Sequence, residues 1–234
     1  IEVNTFKDIL EIENILLSYD KTQNLSKLGS NLILSLEFAL LKLASNNNVL
    51  SLFKKQKNLP IPMCNCAVTN FKEPLKFNEI ILLPKSKVFV DSLFGNIYLY
   101  KKIGKALKSR VKTDDGSYIT KLKNEKVLEH LEKLSYEVTK KLGLEYSFGL
   151  NMNSTTFSSK GFYIFEKQKL KLNEYINKIN KLISSFDIDY LEDPLNIDNL
   201  LHNSKIKTDL KASNRLFSGD IENLKKYAKY FNSV

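Results

Sequence analysis

The sequence predicts an α/β protein in which helices cover a parallel barrel or an open sheet. Three observations predict it. From Leu59 apolar alternation marks two strands, followed by two long amphipathic helices. Beyond Leu142 strand and helix patterns alternate, the order that builds a parallel sheet. Finally, the strand through Tyr190 ends in Leu191-Glu192-Asp193-Pro194. Pro194 has no N–H for a ladder and ends the strand. Glu192 is thereby left at the strand's C-terminal mouth, where α/β proteins hold their chemistry. The plainer reading of the same stretch is an acidic turn, with Asp193 starting the next helix.

Thr5 to Tyr19 carries a helical stripe (Phe6, Ile9, Leu10, Ile12, Ile15, Leu16), with Thr5 placed to cap it. Leu32 to Ala44 is apolar nearly all round, the pattern of a buried helix. Asn46-Asn47-Asn48 stops it, a short helix around Leu52 follows, and the polar connector Lys54 to Asn58 marks a domain boundary. Leu59-Pro60-Ile61-Pro62-Met63 opens a strand running through Val68, and Phe77 to Leu83 is a second that closes on Pro84. Val88 to Arg110 and Glu125 to Leu142 are amphipathic helices, the second stopped by Gly143. Glu145 to Asn151 is a strand, Leu172 to Phe186 a helix, and a strand ending at Glu192 follows. A short helix near Asn199, a strand from Ile206 to Ala212, a helix Ile221 to Tyr230 capped by Asp220, and the start of a strand at Asn232-Ser233-Val234 complete the chain.

With 234 residues, 43% hydrophobic and 26% charged, the chain has the composition of a globular protein with a sizeable core. Its net charge of +10 permits acidic partners or nucleic acid. The lysines are spread over every expected helix, however, and no nucleic-acid recognition motif stands out. Cys64 and Cys66 are too close to pair and lack the second pair a zinc site needs, so both are expected as free thiols in a reducing, cytoplasmic setting. No apolar run approaches the ~20 residues of a membrane span.

Several segments in register resemble enolase, the lyase that dehydrates 2-phosphoglycerate. Leu25-Ser26-Lys27-Leu28-Gly29-Ser30-Asn31-Leu32-Ile33-Leu34 is similar to the family's Leu-Gly-Ala-Asn-Ala-Ile-Leu helix. Leu59-Pro60-Ile61-Pro62-Met63 resembles its Leu-Pro-Val-Pro barrel entry, and Asn78-Glu79-Ile80-Ile81-Leu82-Leu83-Pro84 its Gln-Glu-Phe-Met-Ile-Pro strand. Leu191-Glu192-Asp193-Pro194 is similar to its Ile-Glu-Asp-Pro. The resemblance implies that residues 1–58 are the helical remainder of an α+β N-terminal domain. Residues 59–234 are then an incomplete (β/α) barrel with a ββαα start.

For the site the resemblance implies a base, an acid and Mg²⁺ gripped by three strand-end carboxylates. Glu192 stands at one of those metal positions; Asn151 and Asn214 stand at the other two, with Arg215 beside the second. Asn brings an oxygen without charge. A unit pair near 4 Å is worth about a few kcal/mol at an effective dielectric of 20, so two lost attractions and an added cation weaken Mg²⁺ by orders of magnitude. Glu79 and Asp115 stand at family acid–base positions, Asp115 one methylene shorter than the family's Glu. The stretch Thr69 to Lys76 has no His where the family's His-bearing loop belongs, and His130 and His202 fall on expected helices. The family's later-strand lysines lie beyond Val234.

The expectation is an enolase-like protein that has lost dehydration and serves as a structural or interaction subunit. A protein partner, a second copy or further chain would cover the open barrel edge. No cofactor is expected; Mg²⁺ belongs only to the alternative in which this is an active enolase whose remaining catalytic residues lie outside this stretch. A third reading is a basic module for RNA or another polyanion, with Arg215 and Lys112 holding an anion.

Overall fold

The structure, a computed structural model, describes residues 2–22, 25–46, 48, 60–69, 77–217 and 221–232. It divides into two compact units, the first centred on residues 1–59 and the second on residues 60–217 and 222–234.

The first unit is a helix pair, α1 (Phe6–Asp20) and α2 (Ser30–Ala44), packed together. Thr5 caps α1: its Oγ1 accepts from the Asp8 N–H, and Asp8 Oδ2 accepts in return from the Thr5 N–H at 2.7 Å. Asp20 is buried at the far end and accepts the backbone N–H groups of Thr22 and Leu28 at 3.0 and 2.6 Å, which ties down the turn. The all-round apolar helix is not buried as expected. Ile33 is enclosed, but Leu32, Phe38 and Leu43 are 54%, 55% and 66% exposed, because among the described residues of this unit one partner helix covers one stripe.

The second unit is a mixed α/β layer. Its six-stranded sheet runs in the order β3-β1-β2-β4-β8-β9. The strands are β1 (Cys64–Thr69), β2 (Glu79–Pro84), β3 (Tyr118–Thr120), β4 (Tyr146–Asn151), β8 (Ile188–Glu192) and β9 (Leu210–Ala212). β2 is antiparallel to both neighbours, whereas β1–β3, β4–β8 and β8–β9 are parallel. Helices α3 (Phe89–Ala106), α4 (Asn124–Leu142) and α5 (Leu172–Phe186) cover one face. Leu99, Ile103, Val127, Leu131, Tyr175 and Ile179 pack there against Ile80, Leu82, Phe148 and Leu150. The strand period sends Ile81, Tyr190 and Ala212 to the opposite face, where they form a smaller cluster with Leu83.

Several expectations shift. The helix expected over Val88 to Arg110 runs only over Phe89–Ala106, with Leu107 at its C-terminal cap. The strand expected from Leu59 begins at Cys64, since Pro60 and Pro62 deny the ladder their N–H groups; the Pro62 carbonyl instead accepts from Asn96 Nδ2 at 2.8 Å. The strand expected over Ile206 to Ala212 shrinks to β9, because Ile206 closes the 3₁₀ helix Ile197–Lys205 and Thr208 bonds Ile188 O through its hydroxyl at 3.1 Å. The last helix is α6 (Ile221–Tyr227) continued by a 3₁₀ turn, Ala228–Tyr230. A three-stranded meander, β5 (Ser158–Ser159), β6 (Phe162–Phe165) and β7 (Gln168–Lys171), was not anticipated. Its inward Tyr163 and Phe165 extend the core, Tyr163 stacking on Tyr175 at 4.2 Å between ring centroids. The helix around Leu52, the connector Lys54 to Asn58, the cap Asp220 and the pair Ser233-Val234 lie outside the described residues. Asn232 does pair beside β9: its N–H donates to Lys211 O at 3.3 Å and its Oδ1 accepts the Lys211 N–H at 2.6 Å. Cys66 is buried, Cys64 is half-buried, and both are free.

Gly149 lets the central strands close. A Cβ there would lie 2.9 Å from Tyr190 Cδ1, 3.1 Å from Leu83 Cδ1 and 3.2 Å from Ile81 Cβ. The Gly149→Ala variant is therefore expected to lose about 1–3 kcal/mol in a urea unfolding midpoint. An unchanged midpoint would show that the contact is loose.

Candidate functional site

Strand register assembles the site. Glu79, first in β2, pairs with Asn151, last in β4; Asn151 pairs with Glu192, last in β8; and Glu192 pairs with Ala212 in β9. Laterally paired positions share a face, and β2 runs against β4, so its first residue meets the last of its neighbour. Glu79, Asn151 and Glu192 therefore form one row at one end of the sheet, on the side of Ile81 and Tyr190.

The row is bonded through one amide. Asn151 Nδ2 donates to Glu79 Oε2 and to Glu192 Oε1, each at 2.9 Å. Tyr190 lies two residues before Glu192 on the same face and donates its hydroxyl to Glu192 Oε2, also at 2.9 Å. Asn214, exposed, hydrogen-bonds Glu192 as well. Asn151 Oδ1 is buried and has no hydrogen-bond partner among the described residues.

Asp115 reaches the row from the turn before β3. Thr113 O accepts the Gly116 N–H at 3.0 Å, and Asp115 Oδ1 accepts Thr113 Oγ1 and the Ser117 N–H. Asp115 Oδ2 accepts Asn65 Nδ2 at 3.1 Å and Ser117 Oγ at 3.3 Å. Glu79 and Asp115 also share a hydrogen bond. Burial pushes the Glu79 carboxyl up, Asn151 pulls it down, and the Glu192 charge and the Asp115 bond raise it again, for a net rise. Burial likewise raises Asp115, but bonds from Thr113, Asn65, Ser117 and Glu79 outweigh it and hold that carboxyl low. The two carboxyls are thus pushed apart, Glu79 upward by burial and Asp115 downward by its donors. Glu192 is raised by burial and by the Asp193 charge, against the bonds from Tyr190 and Asn214.

Asp193 does not start a helix. It holds the left-handed backbone conformation at φ 46°, and Asn196 precedes the 3₁₀ helix instead. Buried, it ties three loops: its N–H donates to Ala212 O at 3.0 Å, its carbonyl accepts the Ser154 N–H at 3.1 Å, and its carboxylate accepts Ser213 Oγ. Tyr175 OH adds a bond to Pro194 O at 3.1 Å.

Other expected residues sit elsewhere. Lys112 Nζ lies 4.9 and 4.7 Å from the ring centroids of Tyr100 and Tyr118, beside edge strand β3. Arg215 is exposed past β9, at the other edge of the sheet, its N–H 3.4 Å from Asp193 Oδ2. His130 is exposed on α4 and His202 half-buried on the 3₁₀ helix. Residues 70–76, where a His-bearing loop would fall, lie outside the described residues. Tyr190 and Asn65 were missed, although Tyr190 was legible as the same-face neighbour two before Glu192.

Mg²⁺ is held by oxygen lone pairs in an octahedron. Asn151 turns its N–H groups, not its oxygen, toward Glu79 and Glu192. Among the described residues no group of three or more His, Cys, Asp and Glu is placed to hold a metal ion. As arranged, Asn151 presents hydrogens rather than an oxygen to the space between Glu79 and Glu192.

Both Glu79 and Glu192 bind a proton more tightly folded than unfolded. The stability they contribute is full below the ordinary carboxylate pKa and is lost as pH rises through their raised folded values. Glu192→Gln is expected to flatten that fall in unfolding midpoints measured from acid to neutral pH. An identical slope in both proteins would contradict it.

No family model matches the chain. Curated enolases do. The enolase of Archaeoglobus fulgidus is 25% identical over 196 residues, covering 79% of this chain and 49% of that protein. That of Methanothermobacter thermautotrophicus is 25% identical, over 80% of this chain and 50% of its own length. That of Sulfurisphaera tokodaii is 28% identical, over 93% and 56%. The chain thus spans about half the length of the curated relatives it matches. Among the described residues no helix is long and apolar enough to cross a membrane. With this likeness running along most of its length, and a mixed sheet compatible with it, the chain is a divergent enolase-like protein.

Proposed function

We propose that this chain has lost 2-phosphoglycerate dehydration and serves as a structural or interaction subunit. The observation that carries the reading is the Asn151 amide, bonded to Glu79 and Glu192 at 2.9 Å where the resemblance calls for metal-binding charge. Asp115 supports it: a carboxylate engaged by Thr113, Asn65 and Ser117 is committed to its own turn rather than free to move a substrate proton.

In this reading residues 1–58 are the helical end of an N-terminal domain and residues 59–234 an incomplete barrel with a ββαα start. The packing positions (Leu99, Ile103, Leu131, Phe148) keep the scaffold, while the polar row no longer answers to a metal. The two ends of the sheet, at β3 and β9, are partly met by the chain itself, where Ile119 N–H donates to Val111 O and Asn232 pairs with Lys211; in this reading a protein partner, a second copy or further chain of the same protein covers what those contacts leave. The setting is cytoplasmic.

The test is Mg²⁺ titration in a dehydration assay on 2-phosphoglycerate with the complete protein, beside an active enolase as control. No turnover above background at any Mg²⁺ concentration is expected. Mg²⁺-dependent turnover would overturn the reading in favour of an active lyase completed by residues outside this stretch.

A further inference from the structure

The Asn151 amide occupies a place that electrostatics would otherwise reserve for a cation. Two carboxylates facing one another across a strand repel, and burial deepens the repulsion by removing water. Glu79 and Glu192 face each other across β4, with Asn151 between them in register. The geometry lets each of the two amide hydrogens serve one carboxylate, as Nδ2 stands 2.9 Å from Glu79 Oε2 and 2.9 Å from Glu192 Oε1. Hydrogen bonds to ionised acceptors are roughly twice as strong as neutral ones. The amide's positive end thus does locally what a metal does, without an ion.

We infer that Asn151 is a built-in clasp that joins Glu79 to Glu192 in place of a divalent cation, so that this end of the sheet closes independently of metal. The buried Asn151 Oδ1, without a hydrogen-bond partner among the described residues, is the other half of the observation. An amide has two ends. For an ion to use its oxygen, Asn151 must turn over, give up both 2.9 Å bonds and bring Oδ1 to the carboxylates. The existing bonds oppose that rotation, which makes ion entry unfavourable beyond the simple loss of charge. The chain has exchanged a removable cross-link for a covalently attached one. Asp at the same position could not do this: it has no donor, and it would add a third negative charge to the row.

The inference rests on reading Asn151 as standing at a former metal position, and its test does not use turnover. Thermal unfolding of the protein is followed with EDTA and with saturating Mg²⁺ or Mn²⁺. The native protein is expected to show the same midpoint in both. Asn151→Asp is expected to fall by roughly 5–10 °C in EDTA and to recover saturably with either ion, as a ligand bound to the folded state must stabilise it. Asn151→Leu, which can neither donate nor coordinate, is expected to fall without recovery. If Asn151→Asp is unfolded in EDTA, recovery of its circular dichroism on adding ion supports the clasp. A saturable rise in the native midpoint, or an Asn151→Asp protein indifferent to ions or unfolded with and without them, overturns it. Turnover without a midpoint shift would contradict the proposed loss of activity alone; a midpoint shift without turnover would contradict the clasp alone.

Discussion

The constraint that everything else depends on is the ladder register across β2, β4 and β8. Because β2 runs against β4 while β4 and β8 run together, one residue from the start of β2 meets the last residues of two other strands. That single alignment puts Glu79, Asn151 and Glu192 side by side. A slip of one position would send all three to the helical face, into a layer built from Ile80, Phe148 and Leu150. The apolar core therefore does more than stabilise the sheet. By burying the alternate positions it forbids any register but the one that gathers the polar row.

Within that row burial outweighs the donors. Two carboxylates partly withdrawn from water favour their protonated forms, and the shifts of Glu79 and Glu192 are both upward, with burial the largest cause. Asn151, Tyr190 and Asn214 oppose this with hydrogen bonds, while the Asp115 bond and charge raise Glu79 further. The result is a site satisfied largely from within. In the proposed function, strand-end charges met by side-chain donors leave little to offer an ion, which would unite the divergent sequence with the change of role.

Much of this was legible in the sequence, for identifiable reasons. The helix Leu172–Phe186 agrees residue for residue because its apolar period is strong and Asp187, in the left-handed conformation, ends it. Gly143 stops α4 as expected, at φ 69°. The meander of β5 to β7 was not foreseen. Its first turn has the informative pair Lys160-Gly161, but the second places Glu166 and Lys167 at φ 48° and 64°, which neither residue advertises. The short β9 reads longer in sequence because Ile206 is apolar but serves to end a 3₁₀ helix. For the site, residue types and positions could be read along each strand. The direction of the Asn151 amide could not, because Asn is donor and acceptor at once, and which end turns inward depends on what β2 and β8 bring to it.

The orientation of that amide is the central claim, and a crystal structure of the protein grown in Mg²⁺ at a resolution that distinguishes nitrogen from oxygen tests it most directly. The account predicts Asn151 Nδ2 within hydrogen-bond distance of both Glu79 and Glu192, with no ordered ion between them. An octahedral ion at about 2.1 Å from Glu192 and from Asn151 Oδ1, with the amide turned over, would contradict it.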